Sequence, residues 1–398
     1  MKKGIGVIIG LIMLPLSGMG QKILLSSTES GNELNLDPNR IYSYNLYEKS
    51  RWGAGLEYDI MLGQKDSAGL TCLALSAYGA WGYEDHRLKW GGKVELQGVT
   101  KDRRKYSTYL EGFHDLTAPG SRHIGSYDVF HFTSTGNFMT RRFNDTWRVT
   151  GGVSRMKTRK LQETIELRWS RERDLWSGNN LIYPASCADL RSMPYEDFFE
   201  VRIHLADFSG LSGELLAGTT SLWTSPFVRL LVQYNRKFFW EPLALEVFAQ
   251  CGFADEGAPY SRCFDLGGTW GSPLAMERSL LTARPNEFTA NLFSLVTLKL
   301  STAEPLFYYY HNNLLVGTSP SPFVLCNAAW GELRGHSSPQ APDKGILEVG
   351  GGVDGLLKWG LVDWGGAVVY RLTPTSAAYH FTKTEDNLMF LLTAKLDM

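Results

Sequence analysis

Asn387-Leu388-Met389-Phe390-Leu391-Leu392-Thr393-Ala394-Lys395-Leu396-Asp397-Met398 decides the fold. Leu388, Phe390, Leu392, Ala394, Leu396 and Met398 fall on one parity, and Asn387, Met389, Leu391, Thr393, Lys395 and Asp397 on the other. A strand turns successive side chains to opposite faces, so this period of two gives one greasy face and one mixed face. The same split returns along the chain. Phe199, Val201, Ile203 and Leu205 alternate with Glu200, Arg202 and His204, and Val362, Trp364, Val368 and Tyr370 with Asp363 and Arg371. Trp52, Ala54, Leu56, Tyr58, Ile60 and Leu62 oppose Glu57 and Asp59; Leu88, Trp90, Val94 and Leu96 oppose Lys89, Lys93 and Glu95; Leu243, Leu245, Val247 and Ala249 oppose Glu246 and Gln250.

These segments run for roughly nine to thirteen residues, longer than the five or six of an average globular strand and close to the ~9 to 11 that cross a bilayer as a tilted strand. A water-soluble sandwich would also alternate, but strand length and number favour a transmembrane antiparallel β-barrel of about 14 to 16 strands. Trp52, Trp90, Trp169, Tyr234, Trp364 and Tyr370 near strand ends fit an aromatic girdle. The 12 Trp, 18 Tyr, 20 Phe and 41 Gly of the 398 residues suit strands and tight turns.

The N-terminus reads as an export signal. Met1, Lys2 and Lys3 form a positive start, Gly4 to Leu16 an apolar stretch, and Ser17-Gly18-Met19-Gly20 a small-residue cleavage region. The expected organisation is a signal peptide at 1–20, a periplasmic lead-in at 21–49 and an outer-membrane barrel at 50–398. Gly63 to Ser67 and Tyr83 to His86 read as short turns. Ser177 to Pro194, Asp255 to Pro285 and Gly335 to Lys344 read as longer loops, the candidates for the extracellular side.

Chemistry is sparse. The 40 basic and 41 acidic side chains leave no excess for a nucleic-acid surface. No zinc-protease motif, phosphate-binding glycine loop or nucleophile elbow occurs, and no two of the eight histidines have metal spacing, so no catalytic residue, metal or cofactor is assigned. The polar parity instead nominates Glu200, Arg202, His204, Glu246, Glu348, Asp354, Asp363, Arg371, Lys395 and Asp397 as lumen-facing, with mixed signs able to pair. Such a lumen would be narrow, and the loop from Asp255 to Pro285 is a candidate to fill it. Five cysteines are an odd number in an oxidising compartment, and Cys251 with Cys263 is a candidate bridge across that loop.

Tyr42 to Gly53 (YSYNLYEKSRWG), Ala77-Tyr78-Gly79, Asp85 to Gly92 (DHRLKWGG), Asn286-Glu287-Phe288, Leu347 to Val353 (LEVGGGV), Val362-Asp363 and Tyr370-Arg371-Leu372 carry a resemblance. In that order they resemble a Bacteroidota outer-membrane barrel family of unknown function. In that family a carboxypeptidase-regulatory-like domain usually precedes the barrel; here only about 30 residues separate the cleavage region from the first strand, and Lys49 stands where the family has glycine. The resemblance implies a barrel distantly similar to assembly-type barrels, and it brings no catalytic residues. Glu332-Leu333-Arg334-Gly335-His336 resembles the Arg-Gly loop such barrels fold inward, with a plain loop arginine as the competing reading.

The functional expectation is a non-enzymatic outer-membrane barrel in transport, export or assembly. Its partners would be outer-membrane lipid and, during insertion, the assembly machinery. An outer-membrane hydrolase of esterase or phospholipase type, and a plugged structural or adhesion barrel, are the alternatives.

Overall fold

The computed structural model describes residues 23–37, 40–45, 48–63, 68–117, 143–158, 161–175, 194–207, 209–220, 225–266, 280–283, 288–311, 316–335, 343, 345–359, 362–373 and 388–396. The signal region therefore lies outside the described residues. The strands are β1 (Ile23–Ser27), β2 (Glu33–Leu36), β3 (Tyr42–Asn45), β4 (Lys49–Met61), β5 (Gly69–Gly82), β6 (Leu88–Val99), β7 (Lys105–Thr117), β8 (Asn144–Met156), β9 (Leu161–Asp174), β10 (Glu196–Asp207) and β11 (Leu211–Thr220). They continue as β12 (Ser225–Trp240), β13 (Leu243–Ala254), β14 (Phe264–Asp265), β15 (Thr289–Ala290), β16 (Leu292–Thr302), β17 (Tyr309–His311), β18 (Val316–Thr318), β19 (Ser321–Glu332), β20 (Ile346–Trp359), β21 (Val362–Arg371) and β22 (Leu388–Leu396).

All but β14 and β15 belong to one antiparallel sheet of 20 segments. Because β2 and β3 lie end to end on β4, and β17 and β18 form a side hairpin, 17 strands stand side by side. Consecutive long strands pair throughout, from β4 to β13, then through β16, β19, β20 and β21 to β22. Among the described residues no ladder joins β22 to β1 or β3. Within the segment read as a lead-in, 21–49, β1, β2 and β3 belong to the sheet: β2 pairs with Leu56–Asp59 and β3 with Lys49–Trp52. Its strands are too short for periodicity to reveal.

The two faces differ as the parity requires. Outward-facing Leu110, Leu167, Val324 and Phe390 are 57–69% exposed, among many large apolar side chains left to the surroundings. A continuous apolar surface of this extent has no place in water and suits hydrocarbon. On β8 and β9 this surface is bracketed by outward ion pairs, Arg155 with Glu163 at 2.9 Å and Arg173 with Asp145 at 2.5 Å. The bracketing residues are ten positions apart on each strand; at ~3.4 Å per residue and a tilt near 40°, that is about 26 Å of height, against the ~25 Å apolar band of such barrels.

Connections also differ between the ends. On one side, 62–68, 100–104, 157–160, 208–210, 241–242 and 360–361 are short, with 303–320 carrying the β17–β18 hairpin. Segments 118–143, 175–195, 255–291, 333–345 and 372–387 are all on the other side. Barrels of this kind keep short turns at the periplasm.

The face assignment has a direct test. Leu167→Arg puts a charge in the middle of the outward band and should cost about 2 to 4 kcal/mol, whereas Gln97→Arg, at the open inner mouth, should cost under about 1 kcal/mol. Urea titration followed by heat-modifiable gel migration measures both, and equal losses would mean that the faces are reversed.

Candidate functional site

Inside the sheet, the polar parity gathers into paired networks, as charges removed from water must. Arg51 bonds Asp115, which also accepts from the Tyr78 hydroxyl at 2.7 Å; Lys89 bonds Asp85 and reaches Glu48 at 2.7 Å. Glu48, Asp85, Lys89 and Asp115 are at most 1% exposed. Lower in the lumen, Glu166 takes Arg168 at 2.6 Å and Arg202 at 3.3 Å, while Glu214 takes Arg202 and Arg229, each at 2.7 Å. Opposite signs alternate across neighbouring strands, and no ring of one sign forms among the described residues.

The nominated residues fall as follows. Glu200, Glu348 and Arg371 are buried in the lumen, and Arg202 sits in the pairing just given. His204 is half-buried, its Nε2 without a hydrogen-bond partner among the described residues. Glu246 lies in register with Lys237 and Lys299, and Lys299 bonds Asp354 at 3.0 Å. The Asp363 and Lys395 side chains and all of Asp397 lie outside the described set. Glu172, Glu214, Arg148 and Arg262, absent from the nominated residues, hold the centre of the site.

The segment between β13 and β16 turns back into the lumen. A 3-10 turn at Tyr260–Arg262 and the β14–β15 pair carry Ala258, Cys263, Phe264, Leu266 and Phe288, all at most 1% exposed. Two polar anchors hold it. The Arg262 guanidinium donates two bonds to Glu172, at 2.8 and 2.9 Å, and one to Glu200 at 2.6 Å, and packs over the Phe198 ring at 4.3 Å. Arg148 completes the neutralisation of Glu172 at 3.2 Å. At the second anchor, the Glu348 carboxylate accepts from the backbone N–H of Leu281 at 2.7 Å and of Thr282 at 2.8 Å, from the Thr282 hydroxyl, and from Asn327 at 3.1 Å. Arg371 donates to the Thr282 hydroxyl at 2.8 Å. One anchor is on β9 and β10, the other on β19, β20 and β21, so the loop ties separate walls.

Between the anchors lies an apolar core of Phe264, Leu266, Leu280 and Phe288 against Phe198, Phe227, Phe248, Phe293 and Leu295 from the wall. At ~1.5–3 kcal/mol for each large side chain fully buried, the four loop residues contribute roughly 6 to 12 kcal/mol, an upper estimate from which ordering entropy subtracts. That exceeds the ~3–5 kcal/mol lost on breaking one buried ion pair, so packing holds the loop and the charges fix its register. The wall is shaped for it: a Cβ at Gly252 would come within 2.3 Å of Phe293 and 2.8 Å of Phe264.

Arg334, the arginine of the Arg-Gly segment, stays at the rim, more than half exposed, bonded to Glu332 at 2.6 Å. The plain-loop reading holds for it, and Arg262 enters the lumen. The candidate Cys251–Cys263 bridge is not formed. Cys251 is exposed on the outer face and Cys263 is buried with the loop, its thiol toward the Pro259 carbonyl, so the sheet separates them. Beside the loop, a cavity of about 1030 Å³ opens among the short turns, lined by Glu33, Asp59, Glu95, Gln97, Ser107 and Ser154 among others. The described part of this loop packs at the long-loop end of the lumen, and the cavity opens at the short-turn end.

The chain has the outer-membrane β-barrel fold. It is similar to BamA from Haemophilus ducreyi lacking POTRA domains 1-3, with TM-score 0.50 and 9% identity over 94% of this chain and 75% of that one. Similarity extends to CdiB from Acinetobacter baumannii (TM-score 0.46, 10% identity, 87% of this chain) and CdiB from Escherichia coli (TM-score 0.46, 11% identity, 89%). The chain spans 57% and 61% of the length of those two. No family model matches the chain, and no curated protein does either.

Removal of the Arg262 head leaves Glu172 and Glu200 buried with fewer cations, so Arg262→Ala should destabilise the barrel by about 3 to 5 kcal/mol. Adding Glu200→Gln to that variant should recover part of the loss. Urea midpoints read from heat-modifiable migration check both; additive losses in the double variant would mean that the two groups do not interact.

Proposed function

We propose that this chain is an outer-membrane barrel acting without catalysis in export or assembly, with access from the periplasmic side and a loop that stoppers the extracellular side. The inward fold of residues 255–266, 280–283 and 288–290, anchored at Glu172 and Glu348, carries this reading. A self-paired lumen with a packed loop does not form a wide water path, so simple diffusion through an open pore is disfavoured. The wide cavity among the short turns gives a periplasmic substrate or partner a place to enter. The sequence resemblance, which implies a barrel distantly similar to assembly-type barrels, is in keeping with this reading.

The hydrolase reading finds one suggestive pair, His114 Nε2 with Asp145 Oδ1 at 2.8 Å on the outer face. Among the described residues no serine or cysteine side chain hydrogen-bonds His114, whose ring stacks on Trp147 at 4.1 Å. A base without a nucleophile supports no acyl transfer.

Planar-bilayer recording tests the proposal. The intact protein should give small or no steady conductance, Arg262→Ala should remain nearly silent because the apolar core persists, and deletion of 256–288 should open large channels. Large, steady currents from the intact chain would overturn the stoppered barrel, and lipid hydrolysis in the same vesicles would overturn the non-catalytic reading.

A further inference from the structure

Arginines gather on the outer face just above the apolar band, at its long-loop border, and nothing in the lumen uses them. Asp145 is 3% exposed and takes Arg87 and Arg173, each at 2.5 Å, the Tyr195 hydroxyl at 2.9 Å and His114 at 2.8 Å. Arg171 and Arg173 pack against the Tyr195 ring, at 5.4 and 4.7 Å. The parity of β9 turns Arg171 to the same side as Ile165 and Leu167, and Arg171 is exposed; the Arg87 side chain is 28% exposed. Beneath them Trp147 stacks on His114 and meets Trp90 edge-on at 5.8 Å, with both indoles about two-fifths exposed.

Three features make this a built site. The buried half (Asp145, His114, Arg173) fixes the geometry of the outer half (Arg87, Arg171, Tyr195), so little side-chain entropy remains to be lost on binding. Asp145 and Asp197, which lies opposite Arg171 in register, offset two of the three guanidinium charges of Arg87, Arg171 and Arg173 and leave one net positive charge among these five side chains. Height is the third feature. The row lies at the top of the ~26 Å band, where lipid phosphates stand, and the exposed indoles below it face acyl chains as interfacial tryptophans do. Trp52, Trp81 and Tyr370 occupy outward positions toward the same border on other strands.

We propose that Arg87 and Arg171 bind the phosphate monoester of an outer-leaflet lipid, whose acyl chains lie over Trp90 and Trp147, while Tyr195, its hydroxyl given to Asp145, holds the arginines in place. This rests on the reading of the chain as an outer-membrane barrel. A phosphate monoester carries about 1.5 to 2 negative charges and three acceptor oxygens, which suit two guanidinium groups. A zwitterionic phosphodiester offers less charge and brings its own cation.

The test is native mass spectrometry of the full chain in mixed micelles, with phosphatidic acid or lipid A against phosphatidylcholine. Phosphate-monoester lipids should be retained preferentially, and Arg87→Ala with Arg171→Ala should lower that retention about tenfold. Arg155→Ala, at the opposite border, should leave it unchanged, and heat-modifiable migration confirms that each variant is folded. Equal retention of phosphatidylcholine, an unaffected double variant, or binding of inorganic phosphate with no lipid preference would each overturn the site. A chain that needs no detergent would instead overturn the barrel reading itself.

Discussion

An unpaired backbone N–H or C=O in hydrocarbon costs several kilocalories per mole, and the chain meets that constraint by pairing the long strands from β5 to β21 with both neighbours. The rest follows from it. Once the backbone is committed to a sheet, side chains alternate, and every second residue is given to lipid. What remains on the other parity must be accommodated in an enclosed interior, where a lone charge is costly and a pair is tolerable. Arg202 between Glu166 and Glu214, and Lys89 between Glu48 and Asp85, are the result.

The inward loop completes the interior on one side. Wall residues Phe198, Phe227, Phe248 and Phe293 are as apolar as any soluble core, yet they point into the lumen, where water would meet them without Phe264, Leu266, Leu280 and Phe288. The loop serves the role of a second layer. Charged anchors add direction to an otherwise non-directional contact: a bidentate Arg262–Glu172 pair on one wall, and a carboxylate held by two backbone N–H groups and a hydroxyl on another. The opposite half of the lumen, from β4 to β9, has polar walls and opens into the cavity.

Much of the fold was legible because lipid and lumen impose a strict period of two. Leu243 to Ala249 and Phe199 to Leu205 declare their faces in sequence, and the structure places them so. Legibility fails where that period is broken or too brief. β2 and β3 have four residues each, too few to alternate visibly. On β9, Arg168, Arg171, Glu172 and Arg173 place charges on both parities, because the strand rises out of the band before it ends; Glu172 was hidden among them. Arg262 had no signal of its own. It lies in an irregular stretch whose length marked it as a loop, and only the glutamates waiting on β9 and β10 give it meaning. A better sequence clue would have been apolar residues on the polar parity, such as Phe198, Phe248 and Phe293, which require something to cover them.

The central claim is that residues 255–266, 280–283 and 288–290 occupy the lumen of a membrane-embedded sheet. Thr282 and Asn327 both bond the Glu348 carboxylate, so cysteines introduced as Thr282→Cys and Asn327→Cys, in a background without native cysteines, lie within reach of a short bifunctional thiol cross-linker. The most direct measurement is cross-linking of that pair in intact outer membranes. Efficient cross-linking is the predicted result, with none between Thr282→Cys and the outward-facing Val368→Cys. A folded, heat-modifiable barrel in which the first pair stays unlinked while remaining open to aqueous thiol reagents would contradict the account.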